Sequence, residues 1–549
     1  MKSAITSSLP AVSIPSTDIA TFFFASVRQL DEFSSNGTSP RPLFIDGSVD
    51  NGESLDLEQF ETLCTRLAAG LYHKTGVRQT DVVAVVLPNS IHYPAVILAV
   101  LMLGAACTLV NPAYTEREIA HQMRGSGAKF AITVAELHPT VAQASPGLNA
   151  STQILVVDSK SGAEPSGLSS IFDVLTDDAF PRVAWTETAG SKQDSAPAFI
   201  PYSSGTTGMP KGVVLSHRNI VANLQQALSI QTTLDRPRTS IAVLPMFHSF
   251  GLLFLCFLMP IAAATTVVMP RFEMARFLQL IETHKATDAM LVPPIVNALA
   301  KMPDAIKKYN LTSLAEIVVG AAPLSASAIA AVEKLMPHVR VLQGFGLTEG
   351  SPAISLNPRN RRCVDSVGRL LPNIEAKVLD SDGRVLGPDA VGELCFRGPN
   401  IMLGYLNNPQ ETQRAIDVDG FFHTGDIGYI DQSQFVFITD RKKELIKYNG
   451  FQVAPAELEG ILMRHPEVRD CAVVGVFDEH RQTEVPRAFV VLETSARDGQ
   501  SAAGGAGHIV DWANGQVAYY KQLRGGYSIV ESIPRSASGK ILRRMLKPK

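Results

Sequence analysis

Cysteine is sparse in this chain of 549 residues: Cys64, Cys107, Cys256, Cys363, Cys395 and Cys471 lie far apart with no CxxC pair. That scatter argues against a disulfide framework and against a zinc site, and predicts buried thiols in a reducing compartment. An excess of one charge is also missing. Lys and Arg number 49 against 52 Asp and Glu, a formal net charge of -3 with no segregated block, so neither a nucleic-acid surface nor a polybasic membrane anchor is indicated. The expected partners are small molecules. Met1 to Thr17 carries Lys2 as its one cation and has no long apolar core, unlike a secretory leader or an Arg-rich transit peptide. The end, Met545 to Lys549, is not of the S-K-L type, so cytosol is expected ahead of the peroxisome.

Long apolar runs are rare, and Phe250 to Met269 is the conspicuous one: charge-free and long enough to cross a bilayer. Pro260 interrupts it, and Thr265-Thr266-Val267-Val268 reads as a strand following a buried helix. Hydrophobic residues at 46% and charged residues at 18% exclude wholesale disorder.

What is present alternates. β-Branched apolar runs at Val82 to Leu87, Ile154 to Asp158, Ile241 to Leu244, Ala289 to Val292 and Ile317 to Val319 are separated by amphipathic helical stretches. This predicts an α/β class with a mostly parallel sheet. Ser159 to Ser170, Thr186 to Pro197 and Ser495 to Gly507 read as surface connections. Near Asp440 a charged patch, Asp440-Arg441-Lys442-Lys443-Glu444, precedes about a hundred residues with their own elements. We therefore expect a large domain over 1–440 and a small α+β domain over 441–549. In the latter, Pro455 opens a helix whose Leu458, Ile461 and Leu462 share a face, and strands are expected at Cys471 to Phe477 and Ala488 to Leu492.

The strongest local signal is Tyr202-Ser203-Ser204-Gly205-Thr206-Thr207-Gly208-Met209-Pro210-Lys211-Gly212. Its glycines admit tight turns, and its hydroxyls and one ammonium can surround phosphate oxygens. It lacks the G-x-x-x-x-G-K-[ST] order, and Val213-Val214-Leu215 after it reads as a strand where a P-loop requires a helix.

This segment resembles the signature of the acyl-adenylate-forming superfamily, which includes acyl-CoA synthetases, peptide-synthetase adenylation domains and luciferases. Further segments similar to that family follow in order: Pro245-Met246-Phe247-His248, Gly320-Ala321-Ala322-Pro323, Gly344-Phe345-Gly346-Leu347-Thr348-Glu349, His423-Thr424-Gly425-Asp426, Asp440-Arg441 and Ser538-Gly539-Lys540. The stretch from Lys447 to Glu459 looks like the 4-coumarate:CoA ligase and luciferase branch. The resemblance implies a multi-layer N-terminal adenylating domain with a small mobile C-terminal domain. It implies an ATP-dependent, AMP-forming carboxylate:CoA ligase using ATP, Mg2+ and coenzyme A.

The chemistry agrees, because joining an acid to ATP brings anions together and requires cations and a metal at the phosphates. By resemblance, Ser203, Ser204, Gly205, Thr206, Thr207, Gly208, Lys211 and Thr348 meet phosphate. Ala322, Gln343, Gly344 and Phe345 flank the nucleotide, Asp426 takes the ribose hydroxyls and Arg441 adds a forked donor. Glu349 is the carboxylate for Mg2+. Lys540 serves adenylation and Lys447 thioester formation, exchanged by rotation about a hinge near Lys443. Each such residue alone would ordinarily be a solvated charge or a turn cap; the surrounding motifs reverse that reading.

His248 is assigned to positioning and not to base catalysis, since CoA attacks an already activated anhydride. Phe250, Phe254, Gly320, Pro352 and Ala353 are expected with His248 at the acyl pocket. Phenylalanine at 250 and 254 stands where relatives have groups for a phenol, and Ala353 is smaller than the usual valine, so an aryl acid without an essential ring hydroxyl or a medium-chain fatty acid is expected. Arg271, Asn449 and Gly450 are expected on the CoA side. The alternatives are a ligase that loads a carrier protein's phosphopantetheine thiol, a luciferase-like oxygenase, a non-catalytic nucleotide-binding relative, and a membrane transporter built around Phe250 to Met269.

Overall fold

A computed structural model describes residues 4–34, 40–145, 153–157, 169–171, 195–203, 210–230, 238–449, 451–493, 507–537 and 539–547. Within them the β-branched runs form the centres of two nine-stranded sheets. In one, Val82–Val85 lies between Ala106–Leu109 and Phe130–Thr133, all parallel, and Gln153–Val156 continues the order beyond Phe130–Thr133. In the other, Arg238–Ala242, Asp288–Leu291, Glu316–Val319 and Arg340–Gly346 are successive parallel neighbours, with Ala264–Val268 on the other side of Arg238–Ala242. Residues of these strands are buried on both faces, the pattern that helices covering a parallel sheet impose.

A third sheet departs from the parallel expectation. Ile5–Thr6, Glu375–Leu379, Gly392–Arg397, Phe422–Ile430 and Val436–Arg441 pair antiparallel in that order. Its strands alternate buried and half-buried residues, as in Glu375–Leu379, so they lack the unbroken apolar runs that mark parallel strands.

The run Phe250 to Met269 resolves as a helix followed by a strand. Helical turns from Ser249 to Ile261, with a π-helical stretch at Leu252–Leu258, precede the strand Ala264–Val268. No helix among the described residues is long and apolar enough to cross a membrane. The apolar character reflects burial instead: Leu252 to Ile261 lies within the main core.

A separate hydrophobic core begins at Ile446 and includes Val453, Leu458, Leu462, Val473, Val490 and Ile509. The helix Pro455–Leu462 buries Leu458, Ile461 and Leu462. It packs on the strand Val468–Asp478, which pairs antiparallel with Thr483–Leu492; both strands are longer than their apolar centres suggest. Five cysteines are buried as expected, whereas Cys363 is half-buried; all six are free thiols. Of the expected surface connections, Ser169–Ser170 pairs with Leu155 and Val156, and Pro197–Phe199 is a strand; most of the rest lies outside the described residues.

Candidate active site

Parallel order brings the important segments to one edge. The strands Arg238–Ala242, Glu316–Val319 and Arg340–Gly346 run in the same direction, so the segments that follow them, Pro245 to His248, Gly320 to Ala322 and Leu347 to Glu349, emerge together. The carboxyl ends of parallel strands are where α/β sheets assemble ligand sites.

His248 stands at the corner between the first of these strands and its helix. Its Nδ1 accepts the Phe250 backbone N–H at 3.3 Å and its own N–H donates to Pro245 O at 3.1 Å. The corner requires Gly251, since a Cβ there would lie 2.1 Å from Pro245 O. Asn89, which the sequence reading overlooked, braces the same corner: its amide donates to Leu244 O and its Oδ1 accepts the Met246 N–H, both at 2.8 Å. Burial, reinforced by the Lys540 ammonium, lowers the His248 pKa to about 4. The imidazole is neutral at physiological pH, in keeping with positioning.

Beside it, Phe250 and Phe254 meet edge to face with ring centroids 5.0 Å apart. A Cβ on Gly320 would come within 3.2 Å of the Phe250 ring, so glycine lets the ring lie against the backbone. Ala353 is buried nearby in sequence to Pro352, and Ser249 Oγ lies 3.4 Å from Thr348 Oγ1.

The polar part of the site is a network of charges. Asp426 is 4% exposed, and Arg441 Nε lies 3.0 Å from its Oδ1. Burial raises the Asp426 pKa, opposed by Arg441 and then Lys540. Glu349 Oε1 accepts the Tyr405 hydroxyl at 3.0 Å, and burial followed by Glu349 raises the tyrosine pKa. Lys211 pairs with Glu411, and its ammonium lies 5.3 Å from the Tyr405 ring centroid. Tyr405 and Glu411 carry no local sequence signal; only their spatial proximity marks them.

Lys540 reaches this network from the small domain. Burial and Arg441 lower its pKa to about 8, while Glu444, Asp426 and Glu349 oppose the shift. Its backbone N–H donates to Ser536 Oγ at 3.1 Å and its carbonyl accepts the Ser536 N–H at 2.8 Å, a local loop that presents the side chain. Gly539, with φ +82°, has Val292 of the large domain against its Cα hydrogens.

Lys447 is elsewhere. It is exposed on the strand Ile446–Tyr448, where its backbone N–H donates to Glu484 Oε2 at 2.9 Å. Asn449 and Lys443 are exposed as well, as is Arg271 on the large domain. Gln343, expected at the nucleotide, uses its side chain inside the fold: Oε1 accepts the Leu324 N–H at 3.2 Å and Nε2 donates to Val364 O at 2.8 Å. Phe345 lies 5.9 Å from the Phe396 ring centroid. Ser203 pairs with Lys211 in the hairpin of Tyr202–Ser203 and Lys211–Ser216. Ser204, Gly205, Thr206, Thr207, Gly208 and Gly450 lie outside the described residues.

A carboxylate for a hard cation fits this setting: Glu349 engages Tyr405 through Oε1, and its carboxylate is an oxygen ligand of the kind that magnesium takes.

Known proteins share this architecture. The structure of ATP-bound MatB from Rhodopseudomonas palustris superimposes with a TM-score of 0.80 at 25% identity, over 96% of this chain and 98% of that one. The anthranilate CoA ligase AuaEII in complex with anthranoyl-AMP has the same fold, with a TM-score of 0.82 at 22% identity over 98% of this chain and 97% of that one. A probable 4-coumarate–CoA ligase 3 of Dictyostelium discoideum is 39% identical over 498 residues, 88% of each chain. The 4-coumarate–CoA ligase 2 of Oryza sativa subsp. japonica is 38% identical across 99% of this chain and 94% of its own. The AMP-binding enzyme family matches residues 32–406 and its C-terminal domain residues 457–540, so both the site-bearing sheets and the unit that delivers Lys540 identify this chain as a member of the AMP-binding enzyme family.

Proposed function

We propose that the protein is an ATP-dependent, AMP-forming acid–thiol ligase that converts an apolar carboxylic acid to its CoA thioester. The observation that carries the reading is the unequal placement of two lysines of the small domain. Lys540 lies in the field of Asp426, Glu349 and Arg441, whereas Lys447 is exposed to solvent.

In the first half-reaction a carboxylate oxygen attacks the α-phosphorus of ATP, the bond to the β-phosphate oxygen breaks, and pyrophosphate leaves. Lys540 bridges the two anions, which in a site with little water is worth far more than in solution. Asp426 accepts the ribose hydroxyls, Arg441 holds Asp426 ionised against burial, and Lys211 with Thr348 bears on the phosphates. Glu349 holds Mg2+, which when bound neutralises phosphate charge. His248, neutral and braced by Asn89, shapes the wall beside the carboxylate.

In the second half-reaction the CoA thiolate attacks the acyl carbonyl, the bond to the AMP oxygen breaks, and AMP leaves. We assign Lys447 and Asn449 to this step, reached by rotation of residues 441–549 against 1–440 about the chain near Lys443. Arg271 is assigned to the CoA side of the large domain. The acyl pocket is apolar where Phe250, Phe254, Gly320, Pro352 and Ala353 meet it, which favours an aryl acid without an essential ring hydroxyl or a medium-chain fatty acid.

The test follows AMP, pyrophosphate and thioester from ATP, Mg2+ and CoA across cinnamic, phenylacetic, benzoic and C6 to C14 fatty acids. AMP and thioester in equal amounts are expected. Pyrophosphate without thioester would redirect the reading to a carrier-protein thiol, and no product from any acid would sink it.

A further inference from the structure

We propose that His465, Glu467 and His508 form a site on the small domain for a divalent transition metal of the zinc class. The three are distant in sequence and converge in space. His465 and Glu467 belong to the turn after the helix Pro455–Leu462, and His508 lies in the first turn of the helix Gly507–Asn514. One ligand atom from each lies within 4.8 Å of the others. The His508 Nε2 and Glu467 Oε2 atoms are 3.1 Å apart, and the two imidazole rings are 5.6 Å apart between centroids.

Those separations suit a tetrahedral ion. Bonds of about 2.0–2.2 Å hold donor atoms about 3.4 Å apart, so the cluster closes by bringing donors together by no more than about 1.4 Å. The ligands are held in place by their surroundings. The His465 ring packs edge-on to Trp512 at 5.0 Å, and its Nδ1, which accepts the Glu467 N–H at 3.3 Å, is the ring nitrogen whose lone pair an ion would take in exchange for that bond. Glu467 is fixed through its carbonyl, which accepts the Glu493 N–H at 2.9 Å. Two imidazoles with one carboxylate select zinc, copper or nickel over magnesium, whose preference is for oxygen ligands alone. The cluster is thus chemically distinct from Glu349. The cysteine spacing that argues against a thiolate zinc site has no bearing on ligands of this kind.

The position adds a consequence. His465 lines a cavity of about 620 Å³ between the two domains, bordered by Lys301 of the large domain and Glu493 of the small one. Lys301 Nζ closes that seam, donating to Val468 O and to Glu493 Oε1, each at 2.7 Å. Under the rotation of residues 441–549 proposed above, a metal on His465 occupies the rim of an interface that has to open. An ordinary exposed histidine–glutamate pair would share the 3.1 Å contact and bind no ion at stoichiometric concentration.

The protein supplies its own reporter. It has two tryptophans, Trp185 and Trp512, and the Trp185→Phe variant leaves only the one that packs on His465. Full-length, tag-free protein without nucleotide would be titrated with Cu2+ and Ni2+, which quench indole fluorescence at short range. Saturable quenching with one ion per chain is expected, reversed by EDTA and unaffected by millimolar Mg2+. His508→Ala and Glu467→Ala, both at exposed or half-exposed positions, should each raise the midpoint at least about tenfold with an unchanged circular dichroism melt. Quenching that rises linearly without saturation, or a midpoint that His508→Ala leaves in place, would overturn the proposal.

Discussion

Asp426 and Arg441 face each other across two antiparallel strands, with Arg441 Nε 3.0 Å from a carboxylate that is almost wholly buried. Without the guanidinium, desolvation favours the neutral acid, which accepts hydrogen bonds poorly. Arg441→Ala should therefore weaken ATP binding by about 1.5–3 kcal/mol, the value of hydrogen bonds to a charged group. This corresponds to a rise in KM for ATP of about ten- to a hundredfold at pH 7. Pyrophosphate release at varied ATP measures it, and a KM within about twofold of the parent would contradict the assignment.

The two lysines should separate the half-reactions. Lys540→Ala removes a cation from the charge network and should lower pyrophosphate release about 10²- to 10³-fold. Lys447→Ala should leave that step within about threefold and slow thioester formation from supplied acyl-adenylate. Equal losses in both assays for both variants would reject the two-conformation mechanism.

Adenylation should also fall on the alkaline side. A folded-state pKa of about 8 for Lys540, below the ordinary lysine value, means the cation is present below that pH and lost as pH rises through it. The rate of pyrophosphate release should decline above about pH 8, with bound phosphates moving the midpoint upward. Lys540→Arg, which retains its charge, should flatten the decline even at reduced rate. A parent profile level to pH 10 would remove Lys540 as its cause.

Arg543 carries a structural prediction. Its guanidinium donates to Glu444 Oε2 at 2.6 Å, to both oxygens of Glu459 at 2.8 Å and to Val473 O at 3.1 Å. Arg543→Ala leaves these acids without their cation and should destabilise the small domain by about 3–5 kcal/mol. A separate early transition in thermal unfolding is expected, and a melt unchanged from the parent would show that the acids find another partner.

Phe250→Ala removes the ring that lies against Gly320. Preference, measured as kcat/KM across the acid panel, should shift towards bulkier acids by about ten- to two-hundredfold, the range for small volume changes in apolar pockets. An unchanged ranking would place the acyl group elsewhere.

The amino-acid order alone was enough for the α/β class, the small C-terminal unit and the family to which the chain belongs, because these are written in short contiguous segments. A glycine-bearing turn after a parallel strand, as at Gly320 or from Gly344 to Glu349, depends on local backbone chemistry and is visible locally. So was the break in the run from Phe250 to Met269, since Pro260 and the threonines after it disrupt a continuous span. The antiparallel sheet was not visible, because its strands are half-exposed and short of apolar residues. Nor were the partners that set the electrostatics. Lys211 meets Glu411 across 200 residues, Asn89 braces Met246 across 157, and Arg543 joins Glu459 across 84. Which charges become neighbours depends on how sheets and domains pack, and so does the burial that lowers the Lys540 pKa. The tertiary structure alone decided those pairings, since burial and proximity, unlike a turn, belong to no single segment of the chain.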